Sequence, residues 1–166
     1  MVLLRPAKLT DAQLIYESWG RYPENFERLT ARVFANTADA ERYLARAFSE
    51  PGSLVFHIVE PGGRVVGLAK SIRSEHRAQL GYVVHQPWRG AGIATEALRQ
   101  LVAIVQAVPE VSRIWATCAL DNAASLRVLE KCGFEREGIL KNWVTYPALR
   151  DRPCDNYSYV RPRGAL

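Results

Sequence analysis

This 166-residue sequence predicts an α/β (α+β) fold with a mixed sheet, and three observations carry that prediction. Leu54–Val59, Val65–Ser71 and Gln79–Val84 read as strands joined by short turns, the pattern of an antiparallel three-strand meander. Apolar residues then recur at helical spacing through Ile93, Ala97, Leu101 and Val105, with Glu96, Arg99, Gln100 and Gln106 on the other face. Arg113–Cys118 is a further strand candidate. Because a helix separates it from the third meander strand, it should lie parallel to that strand.

Each remaining element has its own local reason. Val2–Arg5 is a short strand closed by Pro6, since proline cannot donate to a sheet ladder. Thr10-Asp11 caps a helix running to about Trp19, with Leu14, Ile15 and Trp19 inward. Gly20–Asn36 is irregular, with room for a short helix around Glu24–Arg32. Thr37 caps the next helix, which Pro51-Gly52 ends, and Pro61-Gly62-Gly63 makes a hairpin. Asp121-Asn122 caps a helix whose apolar residues are Leu126, Val128, Leu129 and Cys132. Gly133 is its left-handed terminator, and Phe134 folds back on the last turn. Phe134–Leu140 and Asp155–Val160 are the last strands. With no repeats or low-complexity linkers, residues 1–166 read as a single domain.

Composition removes several function classes. No apolar run approaches the length of a membrane span and no charged-then-apolar leader is visible, so neither membrane nor export is expected. Cys118, Cys132 and Cys154 are odd in number and lack CxxC spacing, which favours a reducing cytoplasm and argues against a disulfide or metal framework. The net charge of +5 is mild and its arginines are dispersed, so no nucleic-acid partner is expected.

The chemistry concentrates between the third strand and the long helix. Trp88-Arg89-Gly90-Ala91-Gly92 leads directly into Ile93, Ala94 and Thr95. A helix start offers unpaired N–H groups and the positive end of its dipole, and glycines let a phosphate approach them. An ordinary strand-to-helix turn that needs two glycines for its backbone fits the same residues. A Walker loop is excluded because no lysine follows Gly92, and a dinucleotide fingerprint because Thr95 stands where its third glycine belongs.

Taken together, Gly81-Tyr82-Val83-Val84, Arg89-Gly90-Ala91-Gly92-Ile93-Ala94-Thr95-Glu96-Ala97-Leu98, Asn122-Ala123-Ala124-Ser125 and Lys131-Cys132-Gly133-Phe134 resemble the GNAT N-acetyltransferases, in particular their RimJ/RimL-like branch. The resemblance covers nearly the whole chain. It implies a central sheet of about six to seven strands whose parallel pair splays apart. It further implies acetyl-CoA as acyl donor, with no metal. Cofactor contacts would come from Val83, Val84, Arg89, Gly90, Ala91, Gly92, Ile93, Ala94, Thr95, Asn122 and Ser125. Val83 and Val84 would bind the pantetheine arm by strand addition. An amide near Val84 or His85 would polarise the thioester carbonyl.

The implied reaction is direct attack of a small-molecule or peptide amine on the thioester, by a monomer or homodimer. Ser125 is the expected hydrogen-bond donor to the departing thiolate, and His85 a candidate base; Asn122 and Ser125 also fit plain helix capping. The sequence departs from its relatives in having Gln79 before Leu80, and no acid in Leu140–Val144. A non-catalytic acyl-CoA-binding module is therefore the alternative. The acceptor pocket should come from Gly20–Asn36 and Asn142–Cys154, whose aromatic residues could equally be core.

Overall fold

The computed structural model describes residues 1–162 and holds one seven-stranded sheet in the order β1-β2-β3-β4-β5-β7-β6. Strands β1 (Leu3–Pro6), β2 (Leu54–Val59), β3 (Val65–Ser74) and β4 (Arg77–Val84) pair antiparallel in succession. Strand β5 (Arg113–Ala119) runs parallel to β4 after the crossover helix α3 (Ile93–Gln106), as the sequence predicts. The last strand, β7 (Cys154–Arg161), inserts between β5 and β6 (Glu135–Val144), so β6 becomes the exposed edge.

The remaining helices differ from expectation where tertiary packing overrides local pattern. Helix α1 (Ala12–Ile15) is short and continues as a π turn, Tyr16–Gly20, instead of a regular helix to Trp19. The wider turn delivers the fully buried Trp19 ring between Phe26 and Phe34. Only one 3₁₀ turn, Pro23–Asn25, forms where a longer helix had room, because Asn25 and Phe26 are drawn into the interior. Helix α2 (Thr37–Ser49) is capped by Asn36, whose Oδ1 accepts from the Asp39 N–H at 3.2 Å, and not by Thr37. Helix α4 (Ala123–Lys131) starts at Asn122, and Gly133 ends it with φ +76°.

Each sheet face carries its own core. The α3/α4 side buries Leu98, Leu101, Val105, Leu129 and Phe134 against β4, β5 and β7. The α1/α2 side buries Trp19, Phe26, Phe34 and Leu44 against Val55, Leu68 and Val83. Gln100, expected on the wet face of α3, is half-buried. Its amide donates to the Val2 carbonyl at 2.7 Å and accepts from the Leu4 N–H at 3.2 Å, covering the outer edge of β1.

His57 lies fully buried on β2. Its Nε2 donates to Asp11 Oδ2 at 2.8 Å, and Asp11 also accepts from the Lys8 N–H at 2.9 Å. Burial lowers the His57 pKa below its ordinary 6.5, and the Asp11 hydrogen bond only partly offsets this. For Asp11 the upward push of burial is outweighed by its hydrogen bonds, so its pKa is also lowered. A histidine with a depressed folded pKa contributes stability that is complete above the unfolded value and is lost as pH falls below it. Unfolding stability is therefore expected to decline from about pH 6.5 downward, and Asp11 extends the decline at lower pH. His57→Gln should weaken the fold by about 1–3 kcal/mol while flattening the upper part of that decline, measured by urea unfolding across the pH range.

Candidate functional site

The parallel pair β4/β5 is in register only at Arg77–Arg113, Ala78–Ile114 and Gln79–Trp115. Beyond these rungs the strands part, although β4 continues to Val84 and β5 to Ala119. The backbone that faces this cleft follows from the alternation of an antiparallel ladder. The His85 N–H donates to the Val66 carbonyl at 2.7 Å, so odd-numbered residues of β4 turn their backbone groups toward β3 and even-numbered ones toward β5. Tyr82 and Val84 therefore present backbone to the cleft.

This corrects two expectations. Val83 spends its backbone on Leu68 across the ladder, and the His85 amide is taken by Val66. The Val84 carbonyl is also occupied, accepting from Arg89 Nε at 2.8 Å. What remains for a ligand at the end of β4 is the Val84 N–H, with the N–H and C=O of Tyr82 one rung earlier. The sheet is locally distorted here, with a register shift between Ile58 and Val59. A Cβ placed on Gly67 would stand 2.1 Å from the Val83 carbonyl oxygen, so only glycine allows β3 and β4 to approach this closely.

The turn after β4 has the geometry of an anion cradle. Gly90 and Gly92 adopt φ +83° and +81°, and a Cβ at either would meet nothing within 4 Å. Gly92 is the N-cap of α3 and has no side chain to satisfy the first-turn amides; the first intrahelical bond is Glu96 N–H to Gly92 C=O. Among the described residues the N–H groups of Ile93, Ala94 and Thr95 consequently have no partner, beside the open space over Gly90, Ala91 and Gly92. Arg89, expected to contact the cofactor, stays exposed while its guanidinium folds back on the end of β4. Besides Val84, its guanidinium donates to Asn25 Oδ1 at 3.1 Å and to the Glu24 carbonyl at 3.3 Å. Trp88 packs half-buried on the core with Arg64 over its ring.

Across the cleft, Asn122 Oδ1 accepts from the Ser125 N–H at 3.3 Å, which is the cap expected of it. The Ser125 hydroxyl meets the Tyr82 phenol at 2.7 Å. Burial pushes the Tyr82 pKa far up, so the phenol stays protonated and either hydroxyl can donate to the other. The Cys118 thiol, whose pKa burial raises, donates to the Asn122 carbonyl at 3.8 Å. Tyr82 and Cys118 were not among the predicted site residues. Tyr82 lies within the strand motif Gly81–Val84, but nothing local pairs it with a serine 43 residues away.

His85 follows β4 with Tyr22 against its ring, centroids 4.4 Å apart, and its Nδ1 lies 3.0 Å from Asn25 Nδ2. Glu75 and His76 are exposed in the β3–β4 turn, and His57 is the buried partner of Asp11, so neither histidine joins His85 at the cleft. The two segments expected to shape an acceptor pocket converge at the end of β5. Arg28 and Arg150 reach Asp121 at 2.8 and 3.5 Å. Phe26 and Phe34 belong to the core, whereas Tyr22 is half-buried and Trp143 is 47% exposed.

Comparison with known proteins places this architecture. Residues 1–135 match the acetyltransferase (GNAT) domain, and the chain belongs to that family. It is 35% identical over 99 residues to the uncharacterized N-acetyltransferase YoaA of Bacillus subtilis (strain 168), covering 59% of this chain and 55% of that protein. It is 31% identical over 103 residues to the [ribosomal protein uS5]-alanine N-acetyltransferase of Escherichia coli (strain K12), covering 58% and 53%. The chain thus spans about half the length of these curated relatives. A crystal structure of spermidine N-acetyltransferase from Vibrio cholerae, in complex with CoA and spermine, superposes with a TM-score of 0.79 at 15% identity over 96% of this chain and 94% of that one, a likeness of fold.

The close approach at Gly67 is directly testable. Gly67→Ala is expected to cost about 3 kcal/mol or more, because the obstacle is backbone and cannot rotate away. Gly81→Ala, where a Cβ meets nothing within 4 Å, should change stability by less than about 1 kcal/mol, read as the shift in urea midpoint.

Proposed function

We propose that this chain, as a single domain over residues 1–166, is an acetyl-CoA-dependent N-acetyltransferase of the RimJ/RimL-like branch that acts on a primary amine. The observation that carries the reading is the juxtaposition of the glycine cradle with the parted strands. Amides 90–95 and the α3 dipole suit a pyrophosphate, and the open edge of β4 suits an extended amide-bearing arm. The relatives' names support the acetyl group and the amine, since they are N-acetyltransferases that include an alanine acetyltransferase.

Acetyl-CoA supplies the acyl group as a thioester. The chain's residues then take distinct roles. The first-turn amides of α3 hold the diphosphate, and Tyr82 pairs its backbone with the pantetheine amides. The Val84 N–H donates to the thioester carbonyl oxygen, where negative charge grows as the amine nitrogen attacks. As the new C–N bond forms and the C–S bond breaks, the electron pair leaves on sulfur. Ser125 donates a hydrogen bond to that thiolate, its own oxygen supported by the Tyr82 phenol. The amine attacks unprotonated, and the proton its nitrogen sheds as the amide forms passes through water to the departing thiolate, since Gln79 cannot take it. Arg28 and Arg150 already neutralise Asp121 at the mouth, which favours a singly charged or peptide amine over a polycation.

A second reading, an acyl-CoA-binding module without turnover, draws on two observations. Gln79 cannot accept a proton, and His85 has its Nδ1 engaged by Asn25. Thermal-shift titration with acetyl-CoA, followed by thiol release across a panel of amines, separates the two. Stabilisation with release on one amine establishes transfer, and no stabilisation at millimolar acetyl-CoA refutes both.

Two variants test the roles. Gly92→Glu places charge and bulk at the cradle and should weaken coenzyme A binding about tenfold or more, measured by calorimetry on the folded variant. Ser125→Ala should lower kcat about 10²-fold while leaving acetyl-CoA affinity within about threefold.

A further inference from the structure

Asn25 is 3% exposed, yet every polar atom of its side chain is used. Nδ2 donates to the Trp19 carbonyl at 2.8 Å and approaches His85 Nδ1 at 3.0 Å. Oδ1 accepts from the Gln86 N–H at 3.0 Å and from Arg89 Nη2 at 3.1 Å. Two of these partners are backbone groups of fixed polarity. The Trp19 carbonyl can only accept and the Gln86 N–H can only donate, so the carboxamide has one permitted orientation. The atom facing His85 Nδ1 is therefore an N–H donor, whereas Oδ1 lies farther away at 3.4 Å. A ring nitrogen that accepts a hydrogen bond carries no proton, so in the neutral ring the proton sits on Nε2.

We propose that Asn25 is a positioning residue of the cleft: it holds His85 as the neutral Nε2–H tautomer, so that His85 offers a hydrogen-bond donor at the end of β4 instead of a proton-accepting nitrogen. The use of that donor, toward the acyl carbonyl or the incoming acceptor, rests on the acetyltransferase reading; the tautomer does not. Burial lowers the His85 pKa, a fall that Glu24 opposes and Arg89 assists, which agrees with a ring kept neutral. The same carboxamide also anchors Arg89, whose Nε occupies the Val84 carbonyl and leaves the Val84 N–H as the ligand-facing group. One buried side chain thus sets two groups at the mouth of the cleft.

Long-range ¹H–¹⁵N correlation spectra of the full-length wild-type protein test this without any variant. His85 is assigned by the signal missing in His85→Gln, and spectra are taken above the titration of the ring. The expected pattern is an imine-type Nδ1 and a protonated, pyrrole-type Nε2. A protonated Nδ1, or the averaged shifts of two interconverting tautomers, overturns the proposal. Asn25→Asp should invert the pattern, because a carboxylate accepts from Nδ1–H; an unchanged pattern in the folded variant shows that Asn25 does not set the tautomer. With the inverted ring, kcat should fall about tenfold while acetyl-CoA affinity stays within about threefold, a split that a general loss of packing does not produce. Acetyl-CoA binding to the wild type with averaged His85 shifts refutes the Asn25 proposal alone. Absence of binding refutes the acetyltransferase reading and leaves the tautomer result to decide the Asn25 proposal.

Discussion

The parting of β4 from β5 after the Gln79–Trp115 rung is the constraint on which the rest of the site depends. A parallel pair that stayed in register to its ends would satisfy all its backbone groups and leave nothing to bind. Here two faces of the sheet are packed separately, by α3 and α4 on one side and by α1 and α2 on the other. Those cores hold the two strands at their base while their far ends diverge. The cleft is thus a backbone feature maintained by side-chain packing distant from it. On its β4 side, Tyr82 and the Val84 N–H lie beyond the last rung shared with β5.

Two further devices keep the cleft open and specific. Gly67 lets β3 come close enough to β4 to absorb the Val83 carbonyl, which commits alternate residues of β4 to opposite edges. Arg89 then occupies the Val84 carbonyl, so the end of the strand displays a donor without a competing acceptor. A donor isolated in this way is suited to growing negative charge on an oxygen. On the facing wall Tyr82 and Ser125 form a neutral pair, because burial holds the phenol protonated. The surface that results is built from hydrogen-bond donors, with no buried carboxylate at that end among the described residues.

The mouth of the cleft is shaped by contacts between segments far apart in the chain. Asn25 joins the Tyr22–Phe26 region to the end of β4 across 60 residues, and Asp121 gathers Arg28 and Arg150 from the two flanking segments. These contacts sit on irregular backbone supported by a rigid sheet.

Local chemistry alone determined much of this protein. Strand and helix periods located the meander, the α3 helix and the parallel β5, since alternation and helical spacing are properties of neighbouring residues. Gly90, Gly92 and Gly133 marked left-handed backbone, and Asn122 marked a cap, because those residues meet needs that arise within a few positions. The tertiary structure decided which backbone groups face the cleft, because that parity depends on how β4 registers with β3. It folded Arg89 back onto Val84 and Asn25, moved Gln100 from the wet face to the edge of β1, inserted β7 between β5 and β6, and made Asn25 the partner of His85. Each of these outcomes is a choice between equally good local options. A long side chain or a strand edge takes its partner from whatever the packed core brings within about 3 Å, and that distance is not written in any short stretch of sequence.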